Sequence, residues 1–308
     1  MLLSLIFLAV LESCNKYFEN VPPSVSTVKI EGAVIGSDAL TIDDKGNIYA
    51  SDNVGTSPDP FNGNGKTVYK ITQRGERTIF ADNLEGGPAG SCFDGLGNFF
   101  VCTFRDGKLI KIKPNGTRQV FAEGLEGPIQ VVTDKRNNLY VSVAGFGDVP
   151  GTKIYKFTPQ GTKTVLADLF ALGGIALSGM TIDKDENLYV TNYVNGKIIK
   201  VTSQGAAKVF ADLGTSEIPY TPFTSYLAYA NDNVFATGLV ANRIYKISMA
   251  GKASVIAGTG AAGGTDGSPS TATFDSPNGI AVEPFGNVLY LSESNPKRLR
   301  RIISLKQL

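Results

Sequence analysis

The chain has 308 residues and a formal net charge of +1, with 42% hydrophobic and 19% charged residues. That composition supports a large core and supplies no broad field to attract nucleic acid. Histidine is absent, which excludes Ser-His-Asp and Cys-His catalysis and histidine-ligated zinc. The 35 glycines and the lack of tryptophan point to a fold of many turns.

Leu2 to Leu11 is an apolar run. It is too short for the ~20 residues of a membrane span and has the size of a secretory signal core. Residues 1–13 are therefore expected to be a leader. Leu11-Glu12-Ser13-Cys14 resembles the bacterial lipoprotein box, in which the cysteine is lipidated, although Glu12 and the lack of Lys or Arg before the apolar run depart from that pattern. The resemblance implies lipidation at Cys14 and a place in the bacterial cell envelope, periplasm or outer membrane, with membrane contact through the lipid anchor only. An ordinary cleaved signal and a structural strand are the other readings. Residues 14–24, with Pro22-Pro23, read as a tether, and residues 25–308 as one domain.

The domain repeats one unit: an apolar strand, an acidic turn ending in Asn, and a second apolar strand. Leu40 to Tyr49 is the first copy, and Asn47, Asn98, Asn138, Asn187, Asn233 and Asn287 mark six of them at intervals of 40 to 54 residues. Periods of this size indicate a solenoid, propeller or array. Third strands follow at Thr67–Ile71, Lys108–Ile112, Lys153–Phe157 and Arg243–Ile247, alternating Lys or Arg with apolar residues. Fourth strands follow at Thr78–Ala81, Gln119–Ala122 and Lys208–Ala211. Four short strands per unit make a propeller blade, so the expected fold is an all-β, six-bladed β-propeller of four-stranded antiparallel blades. The sixth unit runs out of chain before its outer strand. Thr27-Val28-Lys29-Ile30 has the missing pattern and is expected to close the ring from the N-terminal side, with residues 26–31 pairing with the last blade.

Cys92 and Cys102 flank a hairpin turn in diagonal register at ~7–8 Å, too far for an unstrained disulfide, and read as small buried hydrophobes.

Residues 258–303, with Gly258-Thr259-Gly260, Ser276-Pro277-Asn278-Gly279-Ile280-Ala281-Val282 and Arg298-Leu299-Arg300-Arg301-Ile302, resemble an NHL repeat. The middle units, such as Leu125-Glu126-Gly127-Pro128, are similar to NHL proteins and to the senescence-marker-protein/gluconolactonase family. The resemblance implies a six-bladed propeller. From the gluconolactonase side it also implies a divalent cation at the channel mouth, held by glutamate, asparagine and aspartate, that activates water against a lactone. At comparable positions this chain has Asp38, Ser178-Gly179 and Asn278-Gly279, and the first-blade glutamate is not seen. Ca²⁺ or another divalent cation is thus a conceivable ligand, with Asp38 its metal residue, but the set is a poor catalytic cage. Propeller lyases and lactonases that depend on histidine are excluded.

The long connections, residues 52–66, 143–152, 168–177, 212–222 and 258–276, all fall at one end of the channel, and the tight acidic turns fall at the other. Long loops on a rigid scaffold make the first end the expected binding face. Nine residues before each Asn marker stand Asp38, Ala89, Ile129, Ser178, Thr224 and Asn278; just after the second strands stand Asp52, Thr103 with Arg105, Asn192 with Tyr193, and Glu293. The expected ligand residues are Asp38, Asp52, Arg105, Ser178, Asn192, Thr224, Asn278 and Glu293. Their carboxylates would accept hydrogen bonds and Arg105 would orient an anion. The plainer alternative is that acids and asparagines after a strand satisfy turn backbone.

Three other features carry less. Gly65-Lys66-Thr67 ends like a phosphate loop, but Pro60 stands where that motif needs Gly. Lys297-Arg298 and Arg300-Arg301 read as a solvated sheet face rather than an RNA surface. Asp59, Asn62 and Asn64 supply oxygens for a loop Ca²⁺ site without EF-hand spacing, so an ordinary loop is the simpler reading. The function expected is binding of a small molecule or envelope protein at the channel mouth by a monomer, without nucleic acid. The alternative is a metal-dependent hydrolase of lactones or related esters.

Overall fold

The computed structural model describes residue 18 and residues 20–31, 38–53, 55, 64–213 and 224–308. Six four-stranded antiparallel sheets follow one another along the chain. Blade one comprises Leu40–Ile42, Ile48–Asp52, Thr67–Ile71 and Arg77–Ala81; blade two Pro88–Phe93, Phe99–Thr103, Lys108–Ile112 and Arg118–Ala122. Blade three comprises Pro128–Thr133, Leu139–Val143, Lys153–Phe157 and Lys163–Asp168; blade four Leu177–Ile182, Leu188–Asn192, Lys197–Val201 and Ala207–Asp212. Blade five comprises Thr224–Ala230, Asn233–Gly238, Arg243–Ser248 and Ala253–Ala257; blade six Pro277–Val282, Val288–Ser294 and Lys297–Ile303, with Ser24–Thr27 as its outer strand.

The ring closes as the pattern requires. Ser24 pairs with Ile303 and Thr27 with Arg300, and the Val28 N–H donates to the Leu299 carbonyl at 2.9 Å. The pairing begins two residues earlier than expected and stops sooner. By Glu31 the chain has turned to blade one, where its N–H donates to the Gly75 carbonyl.

The acidic repeat is a turn that satisfies itself. Asp183 Oδ1 accepts the N–H groups of Asp185 and Asn187, while the Asn187 amide and the Tyr189 hydroxyl donate to the same carboxylate at 2.9 and 3.0 Å. Asp43 with Asn47 and Tyr49, and Asp134 with Asn138 and Tyr140, repeat the arrangement, and Asp94 with Asn98 repeats it without the tyrosine. In blade six Glu283 replaces the aspartate and accepts the Phe285 and Asn287 N–H groups. This is an Asx-type cap in which a side chain stands in for the carbonyl a turn would otherwise need.

Packing between blades uses a second repeated device. In blades one to five the outer strand carries a register shift against the third strand, at Val68/Tyr69, Leu109/Ile110, Ile154/Tyr155, Ile198/Ile199 and Ile244/Tyr245. The extra residue turns inward. Phe80 packs edge-on against Tyr49 at 4.8 Å and Phe99 at 5.0 Å, Phe121 against Phe100 at 5.2 Å, and Phe210 against Tyr189 at 4.8 Å. The alternating lysines of the third strands lie over second-strand rings, as in Lys70 over Tyr49, Lys111 over Phe100, Lys156 over Tyr140 and Lys200 over Tyr189, all within 5.7 Å.

Cys92 and Cys102 are free thiols whose pKa burial pushes up, in keeping with their reading as hydrophobes. The basic cluster of the last strand is not a solvated face. Arg301 is exposed, but Arg300 is fully buried, with Glu293 on one side and the Phe274 ring 5.1 Å away.

Candidate functional site

The inner strands reach the channel by leaving their ladders. Their register against the second strands slips between Pro88/Ser91, Pro128/Gln130, Leu177/Met180, Thr224/Leu227 and Pro277/Ile280, at the long-loop end in each case. Each bulge re-aims one or two residues. A belt of hydroxyls then ties each second strand to the next blade's inner strand. Ser142 Oγ donates to the Ser178 carbonyl (2.7 Å), Thr191 Oγ1 to Ser225 (2.9 Å), Thr237 Oγ1 to Asn278 (2.6 Å) and Ser292 Oγ to Asp38 (2.7 Å). The belt breaks at blades one and two, where Ser51 Oγ is buried with no partner among the described residues and Cys102 takes the hydroxyl's place. The strands approach closely enough to demand glycine. A Cβ on Gly279 would lie 2.1 Å from the Asp38 carbonyl oxygen, and one on Gly179 2.3 Å from the Tyr226 Cα.

Asp38 is the centre of this mouth. It is 8% exposed, and the Asn278 amide donates to Oδ1 at 3.2 Å; Tyr226 and Asn53 also hydrogen-bond to its carboxylate. Each amide is oriented by a further partner. Arg105 Nη1 donates to Asn53 Oδ1 at 2.7 Å, and Ser225 Oγ donates to Asn278 Oδ1, which leaves both NH₂ groups for Asp38. Residues from blades one, two, five and six therefore converge on one carboxylate that has neutral donors and, among the described residues, no direct counter-ion. Burial raises its pKa from 3.8 to about 6 against the effect of those donors, with a smaller push from Asp52. Burial likewise raises Tyr226, and it raises Tyr193 of blade four, with the Asp38 charge adding to both.

The expected residues divide around this centre. Asp38, Arg105 and Asn278 belong to the network. Asp52 stands beside it, but its Oδ1 is taken by Lys297 Nζ at 2.8 Å and the Gly55 N–H at 3.0 Å. Ser178 offers the belt its carbonyl, and Thr224 is buried in the same ring. Asn192 donates to the Gly173 carbonyl and caps its own loop. Glu293 is fully buried; its carboxylate accepts Arg298 Nε at 2.7 Å, Arg300 Nη1 at 3.3 Å and the Asp275 N–H at 2.8 Å. It holds the 258–276 connection to blade six rather than facing a ligand.

Asn53, Ser225, Tyr226 and Lys297 were not among the residues expected here. Asn53 follows Asp52 directly, and the bulge after Thr224 presents Ser225 and Tyr226, a shift that counting from Asn233 does not reveal.

The donor set does not fit a divalent cation. Around Asp38 stand N–H and O–H donors, both amide oxygens face away toward Arg105 and Ser225, and a guanidinium lies nearby. Among the described residues no three His, Cys, Asp or Glu side chains cluster as ligands. Of the loop oxygens considered for Ca²⁺, Asp59 and Asn62 lie outside the described residues, as does Cys14. A separate cavity of about 290 Å³ lies on the flank of blade two, lined by Glu85, Asp106, Lys108 and Arg118 among others. Its charges are largely spent on one another and on neighbours, with Lys108 on Asp106 at 3.1 Å, Arg118 on Asp82 at 3.2 Å and Lys66 on Glu85 at 2.7 Å.

No protein-family model and no curated protein matches the chain. Solved structures match in fold. A structural genomics protein of unknown function from Bacteroides thetaiotaomicron superposes with TM-score 0.71 at 15% identity, covering 91% of this chain and 76% of that one. An auxiliary nutrient binding protein from the same organism gives 0.70 at 12% identity, with the same coverage. A putative gluconolactonase gives 0.66 at 13% identity, covering 91% and 92%. At these identities the likeness shows the fold alone.

Proposed function

We propose that the chain is an exported, lipid-anchored propeller of the bacterial cell envelope that binds a small molecule at its channel mouth. The observation that carries this reading is the Asp38 network: a buried carboxylate with no direct counter-ion among the described residues, aligned by donors from separate blades and linked through Asn53 to Arg105. Networks assembled from distant parts of a chain at a cleft are characteristic of ligand sites. Asp38 can accept a ligand hydroxyl or N–H, Arg105 can donate, and Tyr193 supplies a ring. A nutrient binding protein of similar fold is consistent with this use. The alternative, a metal-dependent lactone hydrolase, needs oxygens facing a cation where this mouth presents donors.

A thermal-shift screen over neutral sugars, amino acids and lactones tests the reading. A compound that stabilises the protein is expected to lose its effect in Asp38→Asn and Arg105→Met and to keep it in Asp232→Asn, on the opposite face. Compounds that bind all three variants equally, or Ca²⁺-dependent lactone hydrolysis lost with Asp38, would reject it. Labelling with a palmitate analogue, with Cys14→Ser as control, tests the anchor.

A further inference from the structure

The position of the N-terminal strand determines which face of the propeller a lipid anchor can bring to a membrane. Ser24 pairs with Ile303, the last residue of a third strand, and third strands run from the long-loop end to the tight-turn end. The residues before Ser24 stay at that end. Ser304 Oγ donates to the Val21 carbonyl at 2.6 Å, and Gln307 Nε2 donates to the carbonyls of Val21, at 3.0 Å, and Phe18. Only Asn15, Lys16 and Tyr17 separate Cys14 from Phe18. Four Cα steps of extended chain span at most ~14 Å. A seven-residue strand such as Lys297–Ile303 alone spans roughly 20 Å, so a lipid on Cys14 cannot bring the long-loop mouth to the bilayer.

The charge of the tight-turn end agrees. Lys45, Lys113, Lys135, Lys184, Lys252 and Lys306 place one exposed cation there on each blade, and Arg74 and Arg136 add to them. The exposed anions at that end are Asp44, Glu76, Asp185, Asp232 and Glu31, whose N–H meets the Gly75 carbonyl; Asp232 pairs with Lys184 at 2.7 Å, and the partly buried Glu186 pairs with Arg136 at 3.4 Å, so the cations still outnumber the anions. The acids of the repeat, Asp43, Asp94, Asp134, Asp183 and Glu283, are turned inward onto their own turns.

We propose that the tight-turn face is a docking surface for anionic phospholipid headgroups, and that the channel mouth therefore opens away from the bilayer. This rests on the reading of Cys14 as lipidated. Short-range attraction of Lys and Arg to anionic lipid, screened by salt, then holds the face down.

The full chain, in vesicles of phosphatidylglycerol and phosphatidylethanolamine carrying a headgroup quencher, tests the proposal. A fluorophore is placed at Lys113→Cys on the tight-turn face or at Asp148→Cys in the mouth loop of blade three. Quenching at 113 is expected to exceed that at 148 several-fold, and 0.5 M salt or phosphatidylcholine vesicles should reduce the difference. Equal quenching, or more at 148, overturns it. Palmitate-analogue labelling of the same preparation separates the two claims. Label with quenching at 148 defeats the orientation alone, whereas no label and no quenching at either position defeats the anchor and the orientation together. As a second readout, the triple variant Lys113→Glu, Lys135→Glu, Lys252→Glu should lower vesicle affinity of the Cys14→Ser chain about tenfold, and unchanged affinity counts against the surface.

Discussion

Asp183 and Asp38 are both buried aspartates answered by an asparagine amide, and they behave oppositely. Asp183 finds Asn187 four residues away and adds two backbone N–H groups, so that although burial pushes its carboxyl up, the hydrogen bonds prevail and hold it below the usual range. Asp38 meets an asparagine 240 positions away and only neutral side chains, so burial prevails and its pKa rises to about 6. The first arrangement closes within one turn and recurs from blade to blade. The second needs residues from four of the six blades and occurs once among the described residues. Acid residues that solve a local backbone problem build the frame; the one the frame leaves incompletely compensated is the centre of the site proposed above.

The contrast is broken first at the turn. Asp183→Ala removes the acceptor for two backbone N–H groups, the Asn187 amide and the Tyr189 hydroxyl. Leaving such buried donors unsatisfied should cost about 3 kcal/mol in urea unfolding. A loss below about 1 kcal/mol would mean that the repeat is not a stability device.

Asp38→Asn should act the other way. A carboxyl whose folded pKa is raised contributes stability that is fully present below its unfolded value near 3.8 and is lost as pH rises through about 6. At pH 8 the charged group is a burden, so the neutral amide should stabilise the protein by on the order of 1–3 kcal/mol while abolishing ligand binding. The difference between wild type and variant should shrink as pH falls from 7 to 4. Asp43, Asp134 and Asp183, with lowered folded pKa values, contribute stability above the unfolded value that is lost as pH falls through the folded ones. Equal pH profiles for Asp38→Asn and wild type would remove the argument that Asp38 is under strain from burial.

How far the sequence can be read follows the same division. The turn writes itself as Asp followed four residues later by Asn because its bonds close over four residues; four such turns, with Glu283 and Asn287 in blade six and Asn233 marking blade five, reveal the blade count. Ring closure is legible too, since an outer-strand pattern stands alone before the first repeat. The mouth is legible only in part. Asp38, Arg105 and Asn278 follow from counting along regular strands, but the slip after Thr224 puts Ser225 and Tyr226 where the count puts Thr224 alone. Glu293 occupies a ligand position by count, yet Arg298 and Arg300, five and seven residues on, claim its carboxylate across the hairpin.

Lys297 sharpens the description of the mouth itself. Its ammonium neutralises Asp52, and both side chains are largely buried, so Lys297→Met should cost about 1–2 kcal/mol. The uncompensated Asp52 charge should also move the Asp38 titration upward, because Asp52 already pushes it in that direction. A carboxyl NMR titration reads the shift directly. An unmoved Asp38 would show that the two acids are screened from each other.

The smallest effect belongs to the lysines of the third strands, and it separates two contributions the frame combines. Lys200 lies 5.3 Å from the centre of the Tyr189 ring and 4.0 Å from Asp183 Oδ2, whereas Lys111 lies 5.3 Å from the centre of the Phe100 ring, in a blade whose turn lacks the tyrosine. Lys111→Met keeps the apolar stem and removes the cation above the ring, so it should cost about 0.5 kcal/mol with little salt dependence. Lys200→Met removes the attraction to Asp183 as well and should cost a few tenths of a kcal/mol more at low salt, the excess fading as salt is added. Unfolding of both variants at 20 mM and 1 M salt makes the measurement. If both losses vanish at high salt, the lysines act on the turn carboxylates alone and the rings beneath them contribute only apolar surface.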